Sequence, residues 1–167
     1  MERIKIKWRE LVAPAVGAAI SVLVGLLSAF LTRKNMDLES YATLPPLAPP
    51  MWLFPVVWTI LYILMGVGAG FIYNRRETDE GAVRSALMTF LFQLFINFIW
   101  SIVFFNLKSV LLALVLLAVL IAAVVRMTVQ FWRIDPLAGK LQIPYIVWLA
   151  VAFYLNLAIL ILNGTQL

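Results

Sequence analysis

The sequence predicts an all-α membrane protein built as a bundle of five transmembrane helices. Three observations carry that prediction. The chain of 167 residues is 64% hydrophobic and 13% charged, with a mean hydropathy of +1.00, whereas soluble domains are about 45–50% apolar. Five apolar stretches recur along it, each near the length of about 20 residues that a bilayer crossing needs. Strands of a membrane barrel would alternate over segments of about 10 residues, and no such segment occurs.

The chain opens on a basic segment with Arg3, Lys5, Lys7 and Arg9. The first span covers about residues 11–32. Its uncharged run is longer than the roughly 7–15 apolar residues of a signal peptide, so it reads as a retained helix. Pro14, Gly17, Ala18, Ser21, Gly25 and Ser28 give it small-residue faces suited to close helix packing. A long loop, residues 33–50, follows and contains Tyr41. Its second half is a proline strap. Pro45, Pro46, Pro49 and Pro50 lack backbone donors and push the residues before them out of the α region. The second span, 51–73, carries Trp58 and Tyr62 four residues apart on one face. Proline is tolerated in a first turn, so this helix is expected to start at Pro49 or Pro50. The strap has two readings: a lid over a ligand pocket, or a turn at the membrane surface with an interfacial belt of tryptophan.

A charged turn leads to the third span, 82–105, and a tight connection to the fourth, 108–132. Asp135-Pro136 breaks the next turn. The fifth span is 141–162, and the chain forms one membrane domain over 1–167. Ten of the 13 basic residues fall on the side of the N terminus. In a plasma membrane the positive-inside rule then places the N terminus in the cytoplasm and the C terminus outside.

Polar residues inside the spans are few. Gln93, Asn97 and Trp100 follow i, i+4, i+7 spacing on the third, and Trp148, Ala152 and Asn156 form a stripe on the fifth, with Tyr145 one turn earlier. With Trp58 and Tyr62 these faces could enclose an apolar small-molecule pocket. Equally, the amides could join helices and the indoles fill the core. The chain has no His and no Cys, which removes the usual general base and the commonest metal and haem ligands. All eight acids lie in loops or at span ends, so no buried carboxylate pair is available. No catalytic residue, metal site, required cofactor or nucleic-acid surface is expected. The foreseen partners are the bilayer and a hydrophobic small molecule.

Several motifs, in order, resemble the TspO/MBR family, the tryptophan-rich sensory and translocator proteins. They are Pro14 and Gly17, Tyr41, Pro49-Pro50 with Trp52-Leu-Phe-Pro-Val-Val-Trp58-Thr-Ile-Leu-Tyr62, then Gln93-Leu-Phe-Ile-Asn97-Phe-Ile-Trp100, Asp135-Pro-Leu-Ala-Gly-Lys140, and Pro144-Tyr145-Ile-Val-Trp148 with Leu155-Asn156. The resemblance implies a homodimeric five-helix receptor that binds porphyrins and haem-related tetrapyrroles beneath the first loop. It also implies two alternatives, transport of such ligands or light-dependent porphyrin breakdown with Trp58 and Trp148 as the redox-active residues. By position, the pocket would use Tyr41, Pro49, Trp58, Tyr62, Asn97, Trp100, Trp148 and Ala152. Leu44 and Leu47 stand where the family carries lysine and tryptophan, and no Lys or Arg follows Lys140. Specific sterol binding is therefore not expected.

Overall fold

The computed structural model describes residues 8–40 and 42–165, the side chain of Arg9 excepted. Tyr41 and the basic residues Arg3, Lys5 and Lys7 lie outside the described residues. Among the described residues six α-helices form: α1 (Trp8–Thr32), α2 (Leu53–Asn74), α3 (Glu80–Ser101), α4 (Val110–Ile134), α5 (Pro136–Lys140) and α6 (Ile143–Asn163). Five stretches of the described residues are long and apolar enough to cross a membrane: Glu10–Thr32, Leu53–Asn74, Glu80–Asn106, Val110–Ile134 and Pro136–Asn163. No strand occurs among the described residues.

Polar contacts at the helix ends fix the packing directions. The Asn74 amide at the end of α2 donates to the Glu10 carbonyl at the start of α1, 2.8 Å, so these two run antiparallel. Arg75 reaches Asp135, joining the ends of α2 and α4. At the opposite end Asn35 donates to Asn106, 3.0 Å, and the Val110 amide to the Thr165 carbonyl, 3.0 Å. One end of the bundle therefore gathers Arg75, Arg76, Arg84, Arg133 and Lys140, and the other Arg33, Lys34 and Lys108.

Helix α4 is the central post. Val110, Ala113, Leu117, Leu120, Val124, Met127 and Phe131 alternate spacings of three and four, and each is 0% exposed. That is the seam of a knobs-into-holes helix. Helices α1 and α2 meet through backbone instead. A Cβ on Gly17 would strike the Gly66 carbonyl, and one on Gly70 would strike Pro14. Small residues let two membrane helices approach this closely, where van der Waals contact is the main attraction.

Three local features differ from the sequence expectation. Helix α2 begins at Leu53, not at Pro49 or Pro50. The chain first makes a tight turn, with the Leu53 amide donating to the Pro50 carbonyl at 2.9 Å. Pro55 then takes a first-turn position, where a missing N–H leaves nothing unpaired. The turn expected around Asp135-Pro136 is the short helix α5. The Asp135 side chain caps it by accepting from the Leu137 and Ala138 amides, and Pro136 fits the first helical position. Finally, α3 does not run on as plain α-helix but widens into a π turn at Ile102–Asn106, with the Leu107 amide donating to the Ile102 carbonyl at 3.1 Å.

The 33–50 loop is packed down. Leu38 is 1% exposed and joins the core, and Leu44, Ala48 and Met36 pack against it. Asn163 at the end of α6 clamps Thr43 twice, accepting from its amide at 2.7 Å and donating to its carbonyl at 2.9 Å. The Tyr154 hydroxyl donates to the Pro46 carbonyl at 2.7 Å. Pro46 and Leu47 are the central residues of a turn closed by the Ala48 amide on the Pro45 carbonyl, 3.2 Å. Leu47 there has φ 70°, a conformation that suits glycine or asparagine.

Candidate functional site

Trp58 lies at the centre of an aromatic cluster. Its ring centroid is 5.8 Å from Tyr62, 6.3 Å from Trp100 and 6.1 Å from Tyr145. Phe54, one turn before it, meets Trp148 edge-on at 5.5 Å. The π turn explains the far wall. It buries Val103, Phe104 and Phe105 in succession, which a regular helix, turning 100° per residue, does not favour. Phe104 thereby stacks on Trp100 at 5.4 Å, and Phe105 meets it edge-on at 6.3 Å. Each aromatic pair adds about 0.5–1.5 kcal/mol beyond the area it buries. Single π turns occur often at functional sites.

Two hollows flank Trp58. The larger, about 200 Å3, lies between α1, α2 and the end of α3. Trp58, Tyr62 and Trp100 line it together with Gly25, Ser28 and Thr32 of α1, and Met36 of the loop forms part of its roof. Gly25 matters here, because a Cβ would run into the Tyr62 ring. Among the lining residues, Leu26 and Ala29 on α1 and Pro55 and Thr59 on α2 are also exposed on the outer surface. The hollow thus opens sideways between these two helices. The smaller hollow, about 10 Å3, faces α6 and is lined by Trp148, Ala152 and Asn156. Phe54, Trp58, Trp100 and Phe105 line both spaces. The Trp58 indole is therefore part of a partition.

Asn97 lies below both hollows and lines neither. It sits in a buried chain of hydrogen bonds. The Tyr62 hydroxyl donates to Asn97 Oδ1 at 3.2 Å, Asn97 Nδ2 donates to the Tyr145 hydroxyl oxygen at 2.6 Å, and the Tyr145 hydroxyl donates to Gln93 Oε1 at 3.1 Å. Gln93 Nε2 ends the chain on Met65 Sδ at 3.7 Å. These two amides act as interhelical glue, one of the readings the stripe left open. Other polar atoms are not spent. The indole N–H groups of Trp100 and Trp148 and both amide atoms of Asn156 are buried with no partner among the described residues. All three residues line the smaller hollow.

The sequence-derived set is thus divided. Trp58, Tyr62 and Trp100 meet at the larger hollow, Trp148 and Ala152 at the smaller one, Asn97 lies beneath, and Pro49 lies half-buried in the strap. Tyr41 lies outside the described residues. Sequence reasoning did not reach the α1 wall of Gly25, Ser28 and Thr32, the aromatic contribution of the π turn, or the Asn163 clamp. The small residues of α1 were a visible signal, but they mark close packing and cavity walls alike.

The TspO/MBR family pattern matches residues 17–162. The chain belongs to the TspO/MBR family. It is 35% identical to the tryptophan-rich protein TspO of Chlorobaculum tepidum over 163 residues, 93% of this chain and 98% of that one. It is 34% identical to the tryptophan-rich protein TspO of Archaeoglobus fulgidus over 89% of this chain and 96% of that one. The human translocator protein is 32% identical over 86% of each chain. TspO/MBR membership and the five apolar helices make this an integral, multi-pass membrane protein.

Outside the aromatic cluster, Asp135 holds the membrane-end structure. Its carboxylate takes the Arg75 guanidinium at 2.9 Å. Burial pushes its pKa up, but the Arg75 hydrogen bond and the Ala138 and Leu137 amides prevail and hold the carboxyl below the usual carboxylate range.

Proposed function

We propose that this TspO/MBR protein binds flat hydrophobic ligands, tetrapyrroles foremost, between Trp58, Trp100 and Trp148 beneath the 33–50 loop. The observation that carries the reading is the set of unpartnered buried donors and acceptors on Trp100, Trp148 and Asn156, gathered beside stacked aromatic faces. A buried polar atom left unpaired costs about 1–3 kcal/mol. A ligand with a flat apolar body and a few polar edges would relieve that cost and stack on the indoles. Without histidine or cysteine in the chain, an iron-bearing macrocycle would be held by shape and stacking. A macrocycle needs more room than about 200 Å3, since ligand pockets run to about 300–1,000 Å3. Tilting the Trp58 indole, with its face still against the ligand, would join the two hollows and enlarge the space.

The test is titration of detergent-solubilised protein with protoporphyrin IX, followed by the absorbance of the porphyrin. Trp58→Ala/Trp148→Ala should weaken binding about fivefold or more, from two stacking contacts at about 0.5–1.5 kcal/mol each. Equal affinity in the folded double variant overturns the reading. Flux of porphyrin into vesicles separates a carrier from a receptor that only binds.

A further inference from the structure

Given the ligand site proposed above, on which this rests, we propose that Asn156 selects ligands by one group: a neutral N–H or O–H donor beside a carbonyl, as in a lactam or a protonated carboxyl. Asn156 is 1% exposed, yet neither its Nδ2 nor its Oδ1 has a partner among the described residues. The indole N–H groups of Trp100 and Trp148 share that state, and all three residues line the smaller hollow. A ligand there must supply acceptors for the two indoles and the amide nitrogen, and a donor for Oδ1. Oδ1 and Nδ2 sit on the same carbon, so a donor and a carbonyl oxygen on one carbon of the ligand meet both in a planar pair of bonds. An ester or a ketone brings only the acceptor and leaves Oδ1 orphaned. An ionised carboxylate has the same fault and a second one. No Lys or Arg lines either hollow among the described residues, and a charge buried without a partner is costly. The group is therefore neutral.

The larger hollow does not offer such a pair. Among the described residues five hydroxyls line it, those of Ser28, Thr32, Thr59, Tyr62 and Ser101. Four have given their protons to the protein. Thr32 donates to the Ser28 carbonyl at 2.9 Å, Thr59 to the Pro55 carbonyl at 2.7 Å, Ser101 to the Asn97 carbonyl at 3.2 Å and Tyr62 to Asn97 Oδ1 at 3.2 Å. The smaller hollow, about 10 Å3, takes a water-sized group and not a ring. The flat body thus belongs in the larger hollow, and its polar edge reaches past the Trp58 indole to α6.

Detergent-solubilised full-length protein is titrated by calorimetry with three tricyclic probes. They are phenanthridinone, a lactam; its N-methyl derivative, which keeps the carbonyl and loses the donor; and phenanthrene carboxylic acid. Phenanthridinone should bind about tenfold more tightly than its N-methyl derivative, the factor expected for a buried acceptor left unpaired. In Asn156→Leu and in Asn156→Ala that ratio should fall to about one. The amide bonds nothing in the fold, so Asn156→Leu should keep or raise the Tm of the ligand-free protein. The carboxylic acid should bind more weakly at about pH 7 than at about pH 5, because only its neutral form fits. Tyr62 and Tyr145, the ionisable side chains packed on Trp58, stay protonated across that range. Equal affinity for the lactam and its N-methyl derivative in the unaltered protein, as a fixed water on Asn156 would give, overturns the proposal. A ratio that survives in both folded Asn156 variants does so too, as does acid binding that ignores pH. In each of these cases the probes still bind and the ligand site itself stands. Unaltered protein that binds none of the three probes overturns both.

Discussion

Replacing Tyr145 by phenylalanine removes one oxygen atom from the middle of the buried chain that joins α2, α3 and α6. That oxygen accepts from Asn97 at 2.6 Å, and its proton goes to Gln93 at 3.1 Å. Gln93 is 0% exposed and Asn97 1%, so water cannot take over. Hydrogen bonds between membrane helices average about 0.6 kcal/mol and reach about 1.7. Two lost bonds therefore predict a destabilisation of about 1–3 kcal/mol. The assay is reversible unfolding in mixed micelles of dodecyl sulfate and a mild detergent, followed by circular dichroism. A double-mutant cycle with Asn97→Leu isolates the pair, and should show that Tyr145→Phe costs much less once Asn97 is gone. Removing all partners together, Tyr62→Phe/Gln93→Leu/Asn97→Leu/Tyr145→Phe, should recover part of the loss, because apolar replacement of every hydroxyl and amide in the chain of bonds leaves none of them orphaned. A Tyr145→Phe change within about 0.3 kcal/mol of the parent, or full additivity in the cycle, would refute the reasoning.

Three further outcomes are expected. Asp135 has a folded pKa below its unfolded value of about 3.9. Its contribution is therefore complete above that value and lost as pH falls through the folded pKa, so Asp135→Asn should flatten the stability profile below about pH 4. Leu47→Gly relieves a left-handed leucine that is 90% exposed. Strain of about 1–2 kcal/mol, less the roughly 0.5–1 kcal/mol of extra chain entropy that glycine loses, predicts a gain of about 0.5–1 kcal/mol in the same unfolding assay. Asn163→Ala releases both clamps on Thr43, and amide exchange around residues 42–48 should rise while that of α4 stays slow.

The five spans are readable in the sequence because their signal is long and local: uninterrupted apolar runs broken by charge and proline. The shared face of Trp58 and Tyr62 is readable for the same reason, since spacing along one helix suffices. Pairing between helices is another matter. Nothing in the run of residues says that Asn97 spends its amide on Tyr62 and Tyr145 while Asn156 finds no partner for either atom among the described residues. That outcome depends on which helix faces which, at sub-ångström register. The π turn is silent for a related reason. Ile102–Asn106 has no proline or glycine to announce it, and it shows itself only through three consecutive buried side chains. The start of α2 is misplaced in the sequence reading because Pro49, Pro50 and Pro55 are all compatible with a first turn, and proline alone does not rank them.

The sideways opening between Leu26 and Ala29 on one helix and Pro55 and Thr59 on the other sets the route that a ligand of the proposed kind would take. A greasy molecule reaches it by dissolving in the acyl chains, not by diffusing through water. Occupancy then scales with the oil–water partition coefficient as much as with complementarity. Two compounds with identical contacts inside the protein would differ in apparent potency by the ratio of their solubilities in the surrounding lipid. Tests of the proposed ligands therefore require concentrations expressed per mole of membrane.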